Sequence, residues 1–154
     1  MWRELILQVV PDLESVGGQD SGPDFSPGAP PTEIQNAEAR LGVELPSGLK
    51  DLLAESNGVH VIFGQHLIWS MDEIVKRNLE MRAEPGYGHC MPFDHLLFFA
   101  DAGVDGIQFA FAITRDGTVR EHVYSWYPIS DSREWVAPSL RIYIEWWLSG
   151  KMKV

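Results

Sequence analysis

Residues 30–58 constrain the fold of this chain more than any other segment. They read PPTEIQNAEARLGVELPSGLKDLLAESNG. Thr32 and Gln35 have the spacing of a capping box, which predicts the start of a helix. Gly42 follows the last apolar position of that helix and predicts its end. The segment therefore opens with one well-delimited helix.

A second helix is predicted directly after a short break. Proline is tolerated in the first turn of a helix, so Leu45-Pro46 predicts where this helix begins. Asn57-Gly58 predicts a left-handed end to it. The two helices together predict a helix-loop-helix unit, whose caps and inward-facing leucines serve folding and carry no catalytic chemistry.

The chain before this unit differs from it in composition and in the spacing of its apolar residues. Residues 2–10 repeat apolar side chains at helical spacing and predict an amphipathic helix. Residues 11–31 are rich in Gly, Pro, Ser and Asp, which predicts a loop or linker. We therefore divide the chain into residues 1–29, an N-terminal helix with a flexible linker, and residues 30–154, a single folded domain.

The segments after the helix-loop-helix unit are mostly short and rich in β-branched or aromatic residues. The predicted strands cover residues 59–63, 66–69, 96–100, 107–113 and 119–126. The predicted helices cover residues 71–82, opened by Ser70 and Glu73, and 139–149, opened by Ser139. Because the strands follow one another without regular helical crossovers, the pattern indicates an α+β fold. We expect a mixed, mostly antiparallel sheet flanked by N-terminal helices and a C-terminal helix.

The charge of the chain bears on its partners. Twelve Lys and Arg against 22 Asp and Glu give a formal net charge of -10. Such a chain repels phosphate backbones, so nucleic-acid binding is disfavoured. It attracts basic proteins, such as a basic toxin domain. The alternative interpretation is that the acidity only keeps the protein soluble.

Cysteine content and hydropathy indicate the compartment. Cys90 is the only cysteine in the sequence, so no internal disulfide can form. No apolar run is long enough to span a membrane, and the N-terminus lacks the features of a signal peptide. We expect a cytoplasmic protein that does not engage membranes.

The candidates for chemistry are weak. His89, Cys90, Asp94 and His95 lie close together in a predicted loop, but their spacing matches no recognised metal-ligand or nucleophile motif. Phosphate-binding glycine loops are absent from the sequence as well. We predict no catalytic residues, no metal and no cofactor, and keep a small metal-dependent enzyme using the His89–His95 loop as an alternative.

The order of helix starts, breaks and ends in residues 30–58 resembles that of the SMI1/KNR4 family, also called the SUKH superfamily. Members show a Pro-Thr-like entry, a Leu-Gly break, a Leu-Pro step and an Asn-Gly end, matched here by Pro31-Thr32, Leu41-Gly42, Leu45-Pro46 and Asn57-Gly58. The strands and turn of residues 98–109 and the helix of residues 139–149 also fit. The turn itself, DAGVDG, has less glycine than is usual, and the N-terminal extension has no counterpart.

This resemblance implies an α+β domain without agreed catalytic residues. Bacterial relatives are regarded as immunity proteins that bind and neutralise a cognate toxin, whereas fungal relatives resemble regulatory scaffolds. We therefore predict a non-enzymatic protein-binding module of the immunity type, with a scaffold that has no toxin partner as the alternative. The predicted contact residues are acidic and aromatic side chains of the sheet-edge turns: Asp101, Asp105, Asp116, Glu121 and Trp126.

Overall fold

The computed structural model of the protein describes residues 1–10, 22–61, 65–83 and 87–154. The helices in these ranges are α1 (Trp2–Val9), α2 (Pro31–Leu41), α3 (Ser47–Glu55), α4 (Met71–Ala83) and α5 (Leu140–Leu148). The strands are β1 (Asp24–Phe25), β2 (Val59–Val61), β3 (Gln65–Ile68), β4 (Leu96–Asp101), β5 (Gln108–Ile113), β6 (Val119–Tyr127) and β7 (Ser132–Ala137). This architecture confirms the predicted α+β class.

The strands form two sheets, of order β1-β2-β3 and β4-β5-β6-β7, and every pairing between the described strands is antiparallel. The residue after β3 joins the two sheets. The backbone N–H of Trp69 donates to the carbonyl oxygen of Phe99 at 2.9 Å. Its indole Nε1–H donates to Asp101 Oδ2 at 2.7 Å. The end of β3 therefore lies along the free edge of β4.

Strand β4 is buried on both faces, because every residue from Leu96 to Ala100 is at most 2% exposed. Its edge away from β5 is satisfied partly by one side chain of α4. Asn78 donates from Nδ2 to Phe98 O at 2.8 Å and accepts from Phe98 N at 2.9 Å through Oδ1. A buried strand edge needs such partners, since an unpaired amide or carbonyl in the interior is costly.

Helix α5 covers one face of the four-stranded sheet, which we call the α5 face. The Tyr143 ring packs edge-on against Phe99 and Phe109 at centroid distances of 5.2 and 5.1 Å. The Tyr143 hydroxyl donates to Leu67 O at 3.2 Å, so α5 also fixes the three-stranded sheet. Ser139 caps α5 as predicted, accepting from Ile142 N at 3.2 Å.

The residues just before α2 are packed against α3. Ala29 N donates to Leu53 O at 2.8 Å, and β1 pairs with β2. A Cβ atom on Gly28 would lie 1.9 Å from Ala54 O, so only glycine permits this approach. Residues 22–29, expected to belong to a flexible linker, are thus part of the fold. Residues 11–21 of the predicted linker lie outside the described residues.

The predicted caps of the helix-loop-helix unit are partly wrong. Helix α2 begins one residue before Thr32, with Pro30 at the N-cap and no side-chain capping bond. The fixed φ of Pro31 suits the first helical position and moves the start forward. Gly42 ends α2 with φ 72°, as predicted.

Asn57 and Gly58 serve a different helix from the one predicted. Helix α3 ends with Ser56 in an extended conformation, so no left-handed residue closes it directly. Gly58 does take a positive φ of 98°, two residues later. Asn57 Oδ1 accepts from Met71 N at 2.7 Å, which satisfies an amide at the start of α4. These residues therefore connect α3 to the first turn of α4.

The buried Asn78 bridge yields a stability prediction. Asn78→Leu removes both partners of Phe98 and leaves its N–H and C=O unpaired in the core. We expect the free energy of unfolding to fall by about 2–4 kcal/mol, measured by urea denaturation. Asn36→Leu, on the exposed side of α2, is the matched control and should change it by about 0.5 kcal/mol or less. Equal effects for the two variants would show that the bridge is dispensable.

Candidate partner-binding surface

Two turns meet at one end of the four-stranded sheet and expose apolar side chains. A Cβ atom on Gly106 in the β4–β5 turn would lie 3.2 Å from Pro128 Cγ, so this turn contacts the β6–β7 turn. Val104 in the first turn is 55% exposed, and Ile129 in the second is 94% exposed. Large apolar side chains at this exposure are candidates for contact with a partner.

Met91 extends the same surface from the loop before β4. Its side chain is 58% exposed, and its backbone N–H donates to Asp131 Oδ2 at 2.8 Å, which holds it beside the β6–β7 turn. We call Met91, Val104, Asp105 and Ile129 the turn cluster. It combines three exposed apolar side chains with one carboxylate.

Both turns contain an aspartate in the left-handed conformation. Asp105 has φ 54° and Asp131 has φ 56°, and these are the two positive-φ residues other than glycine in the described residues. Aspartate tolerates this conformation better than most residues, but it still costs energy. Asp131 is held by a dense network, whereas Asp105 is exposed and has no bonded partner among the described residues. Asp105 and Gly106, both with positive φ, form the turn that Ile107 N closes by donating to Val104 O at 3.1 Å, and the Asp105 carboxylate lies on the surface.

Asp131 and Arg133 form the network that fixes the turn cluster. Asp131 Oδ1 accepts from Arg133 at 2.8 Å and from Trp126 Nε1–H at 2.8 Å. Arg133 also donates to Met91 O at 2.7 Å and to Pro92 O at 3.0 Å. Partial burial raises the pKa of Asp131, but the bonds from Met91, Arg133 and Trp126 outweigh it and lower the pKa to about 2.

The loop of residues 87–95 is held by this network and offers little for catalysis. Arg133 lies 2.8 Å from His95 Nε2, and burial together with this guanidinium lowers the pKa of His95. Burial raises the pKa of the Cys90 thiol, and the nearby Asp131 raises it further, which disfavours a reactive thiolate. In the part of the chain that the structure describes, no three His, Cys, Asp or Glu side chains gather in a way that could hold a metal.

A cavity of about 550 Å3 opens between this loop and the β5–β6 hairpin. Its charged lining residues are Asp94 and Arg115, and the rest of the lining is Met91, Pro92, His95, Ile113 and Thr114. Both ring nitrogens of His95, Nδ1 and Nε2, already lie within hydrogen-bond distance of the Arg133 guanidinium. His95 is therefore not a free general base in this cavity.

Three of the five predicted contact residues serve the fold. Asp101 accepts from the Trp69 indole and from Gly103 N at 2.9 Å. Glu121 Oε1 accepts from Gly48 N at 3.2 Å, in the first turn of α3. Trp126 is 1% exposed and belongs to the core, so its ring is not on the surface offered to a partner.

The remaining two predicted residues, Asp105 and Asp116, are exposed but lie far apart. They flank opposite ends of β5, whose six residues span roughly 20 Å. Asp116 accepts from the Thr114 hydroxyl and from Thr118 N, and these bonds lower its pKa to about 2. Asp116 therefore closes the β5–β6 hairpin, and Asp105 alone belongs to the turn cluster.

Sequence reasoning missed the Asp131–Arg133 network and the exposed Ile129. The bonds of Arg133 to Met91 and Pro92 join residues about 40 positions apart. No local sequence pattern predicts contacts between residues so distant in the chain. The segment of residues 128–132, PISDS, does carry a turn signal in its Ser-Asp-Ser run. That signal could have located the turn but not its partners.

The depressed pKa of Asp131 predicts acid sensitivity. A carboxyl whose pKa falls on folding stabilises the folded state above its unfolded pKa, 3.8 here, and loses that contribution as the pH falls toward 2. We expect Asp131→Asn to lower the free energy of unfolding by about 1–3 kcal/mol at neutral pH. This difference from the wild type should shrink between pH 4 and 2, as measured by urea denaturation at each pH. Asp72→Asn, on exposed α4 surface, is the control, and a pH-independent deficit in Asp131→Asn would contradict the assignment.

Comparison of the chain with known proteins identifies the family to which its folded domain belongs. A search of curated proteins finds no match to the chain. The family model described as SMI1-KNR4 cell-wall matches residues 31–144. This range runs from the first residue of α2 into α5 and contains the turn cluster together with the network beneath it. The match covers well over half of the sequence, and the chain belongs to the SMI1/KNR4 family of the SUKH superfamily.

Proposed function

We propose that the protein is a non-enzymatic protein-binding module of the immunity type, which binds and neutralises a cognate toxin in the cytoplasm. The observation that carries this proposal is the family match over residues 31–144, since the family points to protein–protein interaction. The single cysteine suits a reducing compartment. None of the helices in the described residues is long and apolar enough to cross a membrane.

The turn cluster supports this function as the docking surface. Its apolar side chains, 55–94% exposed, would lose water on binding, which is the main favourable term in association. Arg133 and Asp131 hold the β6–β7 turn and the Met91 loop in place before a partner arrives. A preorganised surface pays less conformational entropy on binding.

A basic toxin domain is the partner that the charges favour. The net charge of -10 would speed the approach of a basic protein, with a rate that falls as salt rises. At the surface itself, Asp105 has no competing partner among the described residues and could pair with a lysine or arginine. Because the cluster is otherwise apolar, the partner should present a cation beside an apolar side chain.

The direct test is co-expression with a toxin encoded by a gene adjacent to this one. We expect the protein to co-purify with the toxin as a complex and to restore growth of cells that express it. If the toxin is neither bound nor neutralised by the intact, folded protein, the immunity function is excluded.

Variants of the turn cluster test where the toxin docks. Ile129→Asp removes the most exposed apolar contact, and Asp105→Lys places a like charge opposite a basic partner. We expect each to weaken toxin binding by about tenfold or more, measured by isothermal titration calorimetry. Leu7→Asp is the matched control, because Leu7 is 57% exposed but belongs to α1. Binding that survives in both variants, or that falls equally in Leu7→Asp, would place the docking surface elsewhere.

A further inference from the structure

The face of the sheet opposite α5 is only partly covered. Over its middle, Phe93 packs on Phe98 and Trp126 at centroid distances of 5.6 and 5.2 Å. Beyond that cover, toward the start of β6, the side chains become exposed. We call the uncovered part, with Arg120, His122, Tyr124 and Trp135, the open face.

Strand alternation brings these four side chains to one side of the sheet. Glu121 and Val123 point to the α5 face, since Glu121 reaches α3 and Val123 pairs with buried Phe111. Arg120, His122 and Tyr124 alternate with them and therefore face the other way. Tyr124 is the register partner of Trp135 on β7, which joins them there.

Trp135 is exposed yet fixed. Its side chain is 50% exposed, and its Nε1–H donates to His122 Nδ1 at 3.0 Å. This bond satisfies the polar atom of the indole and orients the ring, so the exposed surface that remains is apolar. An aromatic ring held in this way binds at a low cost in conformational entropy, which is a property of interface hot spots.

Arg120 supplies an unused cation on the same face, four residues before Tyr124, the register partner of Trp135. Its side chain is exposed, and its guanidinium forms no ion pair or hydrogen bond with the described residues. Several other cations of the chain are engaged: Lys50 with Glu44, Arg133 with Asp131, and Arg141 with Glu145. A guanidinium fork matches a carboxylate with two parallel bonds, so a free Arg120 is suited to an acidic group.

From these contacts we infer that the open face binds an acidic segment of a partner protein, with an Asp or Glu carboxylate on Arg120 and an apolar side chain on Trp135. Trp, Tyr and Arg are the residue types most enriched in binding hot spots, and all three occur here together. The site is separate from the turn cluster. Arg120 and Ile129 lie near opposite ends of β6, which spans roughly 25 Å.

Peptide binding to the intact protein tests this inference. The probes are a short fluorescein-labelled peptide of alternating glutamate and leucine and its lysine–leucine counterpart, followed by fluorescence anisotropy. We expect the glutamate peptide to bind, and we expect any binding of the lysine peptide to be unaffected by Trp135→Ala. Arg120→Glu and Trp135→Ala should each weaken binding of the glutamate peptide by about tenfold or more.

Arg40→Glu is the matched control, because Arg40 is also exposed and unpaired but lies on α2. It changes the net charge as much as Arg120→Glu does, and we expect it to leave peptide affinity within about twofold of the wild type. Unchanged circular dichroism and thermal unfolding would show that each variant is folded.

The inference is overturned if the wild type does not bind the glutamate peptide, or if Arg40→Glu and Arg120→Glu weaken binding equally. It is also overturned if Trp135→Ala binds as the wild type does. Ile129→Asp should retain full binding of the glutamate peptide. Loss of toxin binding in this variant and loss of peptide binding in Arg120→Glu therefore test the turn cluster and the open face separately.

Discussion

The hydrogen bonding of strand β4 is the constraint on which the rest of the structure depends. The strand is buried on both faces, so every amide and carbonyl on both of its edges needs a partner inside the protein. β5 supplies one edge. Asn78 and the backbone of Trp69 serve the other, and through them α4 and the three-stranded sheet are fixed to the four-stranded one. Removing this edge pairing would leave buried groups of β4 unpaired and weaken the contact between the two sheets, which the Tyr143–Leu67 bond also holds.

The same arrangement decides where the protein can contact others. With α5 on one face and the outer edge of β4 paired, the two proposed contact surfaces lie at the turns at one end of the sheet and on the outer strands β6 and β7. Asp131 and Arg133 then stiffen these parts, since they tie the β6–β7 turn to the loop before β4. The exposed residues are thereby carried on rigid backbone, which favours binding over catalysis by a moving loop.

Helices and strands could be predicted from the sequence more fully than the long-range side-chain contacts within the fold. Helices with a clear apolar stripe and strands with regular alternation, such as Ile107 to Ile113, were recognisable because local periodicity decides them. Strand β7 escaped prediction, since its polar start, Ser-Arg-Glu, has no such alternation. Two of the predicted contact residues have partners within the fold that the sequence did not reveal. Asp101 and Glu121 looked like surface acids, but their partners, Trp69 and Gly48, are 32 and 73 positions away.

The two proposed surfaces differ in chemistry, and this difference bears on how the family's two functions could share one fold. The turn cluster joins apolar side chains to a carboxylate, whereas the open face joins an indole to a free guanidinium. An immunity protein needs only one such surface, because it has one partner to neutralise. A scaffold needs two surfaces that can be occupied together, and a separation of roughly 25 Å along β6 leaves room for that. The open face is therefore the feature by which a member of this fold could connect two partners and not merely block one.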